Sequence, residues 1–187
     1  MRILFAGATG VLGRATLPHL SGHELVGLTR SAEKRQLLTE LGAETAVCDV
    51  YDYEALFAVV ERVRPHAIVN FVTDLAEGST AANTRVRNEG GANLLRAADL
   101  AGASRLIVES VAFELEGDAA QAVAELERSA RTFSGETLIL RFGRLWGPGT
   151  AYGAPPRPPS IHVAEAGARA AVLIPRAAPG IYEVRSC

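Results

Sequence analysis

Gly7-Ala8-Thr9-Gly10-Val11-Leu12-Gly13 stands directly behind the apolar run Ile3-Leu4-Phe5-Ala6. A short buried strand is thus followed by three glycines at three-residue spacing, then by the apolar-periodic start of a helix. Each glycine has a steric task. Gly7 lets the chain turn sharply off the strand, Gly10 lets the backbone approach a pyrophosphate, and Gly13 lets the helix pack closely on the sheet. The helix N-terminus then turns its free N–H groups and dipole toward the anion. The backbone of Gly7, Thr9, Gly10, Val11, Leu12 and Gly13 is therefore the candidate phosphate cradle. In this strand–turn–helix setting the triplet predicts a dinucleotide site. The same residues would also serve a tight turn that holds nothing.

Behind this opening, short β-type runs alternate with helical segments, the pattern of βαβ units and a mostly parallel sheet. Strands are predicted at 2–6, 24–28, 45–48, 67–71, 105–108 and 137–141. Helices are predicted at 12–20, 32–41, 53–63, 82–101 and 119–131, with Ser31 as N-cap of the second. Gly22, Gly42 and Gly102 fall where helices should stop. Right-handed crossovers of these lengths give an α/β doubly wound sheet of order 3-2-1-4-5-6, a Rossmann architecture. Residues 147–159 hold five prolines and three glycines, unsuited to regular structure. A short helix at 163–173 and a strand at 181–184 close the chain. The expectation is one domain over 1–187, with 147–187 a reduced substrate-binding or lid segment.

Composition removes several classes of function. A net charge of -2 gives no electrostatic reason to expect nucleic acid or an anionic membrane as partner. No apolar run reaches the roughly 20 residues that span a bilayer, and no signal-peptide pattern precedes the first strand. These features predict a cytoplasmic protein. Cys48 and Cys187 suggest neither a disulfide framework nor a metal cluster, and no metal-ligand spacing appears elsewhere.

Several segments together resemble the short-chain dehydrogenase/reductase superfamily, in its extended or atypical branch of NAD-dependent epimerase/dehydratase-like proteins. They are the opening glycine loop, Cys48-Asp49-Val50, the run from Glu89-Gly90-Gly91 to Ala98, the run from Leu138 to Gly147-Pro148-Gly149-Thr150, and Ile161-His162-Val163-Ala164-Glu165-Ala166. The resemblance implies that Asp49 meets the adenine amino group and Val50 its ring face. It places Phe71-Val72-Thr73 beneath the ribose and pyrophosphate. Asp49 serves equally well as the N-cap of the following helix. Charge bears on the choice of cofactor. Where a carboxylate would favour NAD, at the end of the second strand, this chain reads Leu28-Thr29-Arg30-Ser31. A guanidinium can grip a 2′-phosphate with two parallel hydrogen bonds, so Thr29 and Arg30 favour NADP(H) over NAD(H).

The chemistry half departs from the family. Its members usually carry Tyr-x-x-x-Lys on a helix, one turn of spacing that sets a phenol beside a lysine. Here that helix reads Asp118-Ala119-Ala120-Gln121-Ala122-Val123-Ala124-Glu125, and Lys34 is the only lysine of 19 basic residues. The motif is absent. Ser110 follows the fifth strand near the family's substrate serine, in a register that could instead put Val111 there; it also suits a turn cap. His162 and Tyr152 are the remaining catalytic candidates. Glu109 is an odd carboxylate for a strand end, either a general base in a cleft or simply exposed. Arg87 stands where many relatives carry asparagine, three residues before Gly90, and is either solvated or an anion-binding group.

Three functions remain open. One is an NADPH-dependent reductase or epimerase-like enzyme on a small metabolite, with a non-standard proton donor. The second is a catalytically silent cofactor-sensing or structural subunit. The third is an enzyme that reuses the cleft for cyclisation, dehydration or isomerisation. The alanine-rich helices 82–101 and 119–131 suit pairing into a homodimer.

Overall fold

The computed structural model describes residues 1–74 and 80–186; Cys187 lies outside them. Seven parallel strands form the central sheet: β1 (Arg2–Ala6), β2 (Glu24–Thr29), β3 (Glu44–Val47), β4 (Ala67–Asn70), β5 (Arg105–Val111), β6 (Glu136–Phe142) and β9 (Gly180–Val184). Their order is 3-2-1-4-5-6-9. The first six expected strands keep the expected order, and the closing strand expected at 181–184 is β9, which joins the sheet alongside β6 with Leu140 opposite Tyr182. β1 and β4 sit mid-sheet and read as unbroken apolar runs, because a parallel strand covered on both faces has no solvent side.

Two apolar cores flank the sheet. One holds Ile3, Phe5, Phe71, Leu140 and Phe142 against α1 (Val11–Thr16) and α7 (Val163–Arg176). The rings of Phe5, Phe71 and Phe142 meet edge to face, with centroids 5.2 and 5.7 Å apart. The other holds Leu4, Ile68 and Val108 against α3 (Tyr53–Val63), α5 (Gly91–Leu100) and α6 (Gly117–Ala130). α7 crosses α1 so closely that a Cβ on Gly167 would lie 2.3 Å from the Ala15 carbonyl oxygen. The segment from 147 onward is thus divided. α7 and β9 join the main fold, while β8 (Ser160–His162) pairs with β7 (Arg144–Trp146), just before the segment, in a separate two-stranded sheet.

Several local expectations fail for identifiable reasons. The first helix gives way after Thr16 to a 3-10 turn, Leu17–Leu20, that takes Pro18 in its opening positions. The second shrinks to α2 (Arg35–Glu40) behind a 3-10 turn, Ala32–Lys34. Ser31 precedes that turn but makes no side-chain cap; its N–H bonds Thr29 Oγ1 instead, at 3.2 Å. The long helix at 82–101 is α4 (Thr80–Arg85) and α5 joined through a π turn at Val86–Gly90. β7 and β8 escape the periodicity because three residues carry too little pattern, and the prolines between them mask the pairing. No helix among the described residues is long and apolar enough to cross a membrane.

Candidate functional site

The candidate cofactor residues all lie along the carboxyl edge of β1–β4, where open α/β sheets bind ligands. Gly7 has φ +85°, and a Cβ there would sit 2.2 Å from the Phe71 carbonyl oxygen. A Cβ on Gly13 would sit 2.3 Å from the Gly7 carbonyl oxygen, and one on Gly10 3.1 Å from the same atom. The Gly10 N–H closes the turn on that oxygen at 3.0 Å. No side chain caps α1 at Gly10. The first N–H groups of the helix, at Val11, Leu12 and Gly13, have no partner within it. This is a cradle that only glycine can form, with its donors left to a ligand, and it fits a pyrophosphate. Thr9 and Val11 are partly exposed beside it, whereas Leu12 is buried and helps only through its backbone.

The other expected contacts gather nearby. Phe71 turns its ring into the core, so only the backbone of Phe71 and Val72 borders Gly7; Val72 and Thr73 are partly exposed. Thr29 is buried, and its carbonyl accepts the Cys48 N–H at 2.9 Å, which holds Asp49 beside the end of β2. Arg30 is exposed. The cap of α3 is Asp52, whose carboxylate accepts the Ala55 N–H at 3.0 Å. Asp49 instead accepts the Tyr51 N–H at 3.0 Å, a local turn that aims its carboxylate at the loop. Val50 packs where a Cβ on Gly90 would intrude at 2.8 Å, and its carbonyl accepts Asn93 Nδ2 at 2.9 Å.

Sequence reasoning missed Tyr51 and Arg85. The Arg85 guanidinium stacks 4.2 Å over the Tyr51 ring and pairs with Glu89 at 2.8 Å. Burial raises the Tyr51 pKa, while the charges of Arg85 and Arg30 oppose that rise. Arg30, Arg85 and Tyr51 therefore share one rim, next to Asp49. The adjacency of Tyr51 to Asp49-Val50 was the available signal.

The chemistry half does not converge in the same way. Ser110 is fully buried, and its hydroxyl donates to Glu127 Oε1 of α6 at 2.6 Å. Arg141 clasps the same carboxylate with two bonds of 2.8 and 2.6 Å, and Arg131 adds a third at 3.0 Å. Burial alone would raise the Glu127 pKa; the bonds from Arg141, Ser110 and Arg131 hold it below the usual carboxylate value. His162 caps α7, where its Nδ1 accepts the Ala164 N–H at 3.3 Å, so the proton of the neutral ring resides on Nε2. Its ring meets Trp146 edge to face at 4.6 Å. Tyr152 is exposed on the proline-rich loop and gives its carbonyl to the Gly147 N–H. Gly149 places that loop against Arg14 and Val11 at the start of α1. Among the described residues no hydrogen bond joins Ser110, His162 and Tyr152 to one another.

Glu109 and Arg87 feel each other's charge, and neither makes an ion pair among the described residues. Strand alternation turns Glu109 and Val111 away from Ser110. Burial pushes the Glu109 carboxyl up to about 7, with Arg87 opposing, although part of the side chain still reaches solvent. Among the described residues no group of three or more His, Cys, Asp or Glu could hold a metal ion.

Comparison with known proteins fits this geometry. A model of the NAD dependent epimerase/dehydratase family matches residues 3–121. The 3-diazoavenalumate denitrifying reductase of a Streptomyces species is 35% identical over 182 residues, covering 81% of this chain and 59% of that protein. The photosystem II assembly factor Ycf39 of Synechocystis is 33% identical over 113 residues, covering 59% of this chain and 34% of its own. The chain thus spans under two thirds of the length of either curated relative. The Bordetella bronchiseptica enzyme WbmG, solved in complex with NAD, superposes with a TM-score of 0.80 at 19% identity, over 99% of this chain and 72% of that one. At that identity the likeness is one of fold.

Proposed function

The chain belongs to the NAD-dependent epimerase/dehydratase family, and on that premise we propose that it is an NADPH-dependent reductase whose substrate needs no tyrosine proton donor. The observation that carries this reading is one contrast. The glycine cradle keeps its full steric form, while the helix that supplies the family's tyrosine and lysine has neither. When bound, a reduced nicotinamide supplies a hydride. A carbonyl acceptor then needs a proton on oxygen, whereas an acceptor whose leaving group departs as dinitrogen does not. The name of the Streptomyces relative describes such a reductase, acting on a diazo compound with loss of nitrogen. Gly7, Thr9, Gly10, Val11, Leu12 and Gly13 would hold the pyrophosphate. Asp49 and Val50 would hold the adenine, and Phe71, Val72 and Thr73 would floor the ribose. Thr29 and Arg30 would flank the 2′-phosphate, which supports NADP(H) over NAD(H).

A cofactor-binding protein without turnover is the second reading, favoured by the likeness to an assembly factor. Titration with NADPH and NADH, followed by energy transfer from Trp146, is expected to show tighter NADPH binding. Arg30→Ala should weaken NADPH by about tenfold, the loss of one charge-assisted contact, and move NADH by less than twofold. Equal losses for the two would remove Arg30 from phosphate recognition. NADPH that binds but is never oxidised, across diazo, carbonyl and enone acceptors, would decide for the second reading.

A further inference from the structure

Eight polar or charged residues are buried among the described residues: Thr16, Thr29, Asn70, Asn83, Arg87, Arg105, Ser110 and Glu127. Seven of them have identified hydrogen-bond partners. Thr16 donates to the Leu12 carbonyl, Asn70 accepts from Val72, Asn83 accepts from Asp74, and Ser110 donates to Glu127. Arg105 shows how this chain treats a buried guanidinium: it bonds the carbonyls of Ile174 and Ala177 and the carboxylate of Glu136. Arg87 is equally deep, at 7% exposure, and makes no hydrogen bond or ion pair among the described residues. A buried charge without partners is costly to fold and calls for an explanation.

The placement of Arg87 supplies one. It lies in the π turn, a widened helical turn that re-aims side chains and recurs at functional sites. Four residues on, a Cβ on Gly91 would sit 3.6 Å from Asn70 Nδ2, at the last residue of β4. The turn is therefore anchored over the carboxyl edge of the sheet. Burial lowers the Arg87 pKa and the Glu109 charge opposes that, so the two groups share one space at the ends of β4 and β5, too far apart for an ion pair. α6, which packs across α4 and the π turn, offers Arg87 no carboxylate: Glu127 is held by Arg141, Arg131 and Ser110, Glu125 by Arg128, and Asp118 is exposed and makes no ion pair with Arg87.

We propose that Arg87 is the anion-binding residue of the substrate cleft and that its guanidinium fork holds a carboxylate of the substrate. This rests on the reductase reading above and adds the polar end of its substrate. A planar guanidinium matches a carboxylate with two parallel bonds, and such pairs are strongest where water is excluded. Glu109 sets the selectivity. As a second carboxylate in the same space, it repels an acidic ligand when ionised and tolerates one when protonated.

The test uses full-length protein saturated with NADPH, probed with benzoate against benzamide and with 4-hydroxycinnamate against its amide. Each acid is expected to bind at least tenfold tighter than its amide. Arg87→Met, an apolar replacement suited to a buried position, should reduce the preference to below twofold, and Arg87→Lys should keep part of it. Glu109→Gln should strengthen acid binding severalfold. Wild-type protein without an acid preference overturns the proposal with no variant needed. Arg87→Met that keeps the preference overturns it as well, as does Glu109→Gln that weakens acid binding. NADPH binding is measured first in every sample. Its absence in wild type removes the reductase reading itself, whereas bound NADPH with indifferent acid and amide probes removes only the role of Arg87.

Discussion

At the turn between β1 and α1 the site is shaped by backbone, while at the junction of β5 and α6 it is shaped by side chains bonded to one another. The first is held open by steric necessity, because no Cβ fits at Gly7 or Gly13 and no cap competes for the helix N–H groups. The second is closed on itself, because Ser110, Arg131 and Arg141 all converge on Glu127. A binding function needs only the first kind of architecture. Proton transfer to a substrate needs free groups in the second, and the charged groups there that are at least partly buried and without an ion pair among the described residues are Glu109 and Arg87. The comparison therefore separates what the chain can hold from what it can do with it.

The largest expected effect breaks the open end. Gly7→Ala meets two penalties at once, a left-handed φ of +85° and a Cβ 2.2 Å from backbone at Phe71. Backbone cannot rotate out of the way as a side-chain tip can. A loss of about 3 kcal/mol or more is expected in urea unfolding, together with loss of NADPH binding. A variant that folds with wild-type stability and binds NADPH normally would show that the loop is not held in this form.

A smaller effect sharpens the view of the second region. In the folded protein the Glu109 pKa is raised to about 7, above its unfolded value. Between the unfolded pKa and about 7 the folded state therefore binds more protons than the unfolded state, and stability falls as pH rises through that window. Below it both states are protonated, and above it the destabilisation is complete. Glu109→Gln removes the titrating group and keeps its shape. It should match wild type near pH 4 and be more stable by about 2 kcal/mol at pH 8, a figure lowered for the solvent that reaches the side chain. Thermal unfolding at the two pH values measures this. A constant difference across the range would mean that Glu109 does not titrate there.

The same contrast explains what could be read from residues alone. The glycine loop and strand order are legible because they follow from local rules: the spacing of Gly7, Gly10 and Gly13, and apolar runs that alternate with helical periods. Asp49, Val50 and Arg30 are legible because they sit at fixed distances behind a strand. The network at Glu127 is not, since Ser110, Glu127, Arg131 and Arg141 belong to three separate elements that only the packing of α6 on the sheet brings together. For the same reason Ser110 reads from the sequence as either a substrate serine or a turn cap, while the partner its hydroxyl finds, Glu127 of α6, is not legible there. The closing strand at 181–184 is legible as a strand, but its place beside β6 and the pairing of β7 with β8 depend on contacts across the proline-rich segment, which carries no periodic signal.

The smallest expected effect bears directly on that reading of Ser110. Its hydroxyl donates to a carboxylate that Arg141 and Arg131 already hold, so Ser110→Ala leaves Glu127 partnered. The loss is one buried hydrogen bond without an orphaned charge, about 1 kcal/mol. The rest of the shape is kept, because alanine fills all but the oxygen. Once an acceptor for the hydride is known, kcat should stay within about twofold of wild type while the melting temperature drops by a few degrees. The two readouts separate a structural hydroxyl from a catalytic one. A catalytic hydroxyl that donates to substrate contributes on the order of a hundredfold or more to rate and little to stability. A large fall in kcat at an unchanged melting temperature would therefore mean that Ser110 leaves Glu127 when substrate binds, and that the closed end of the site opens during turnover.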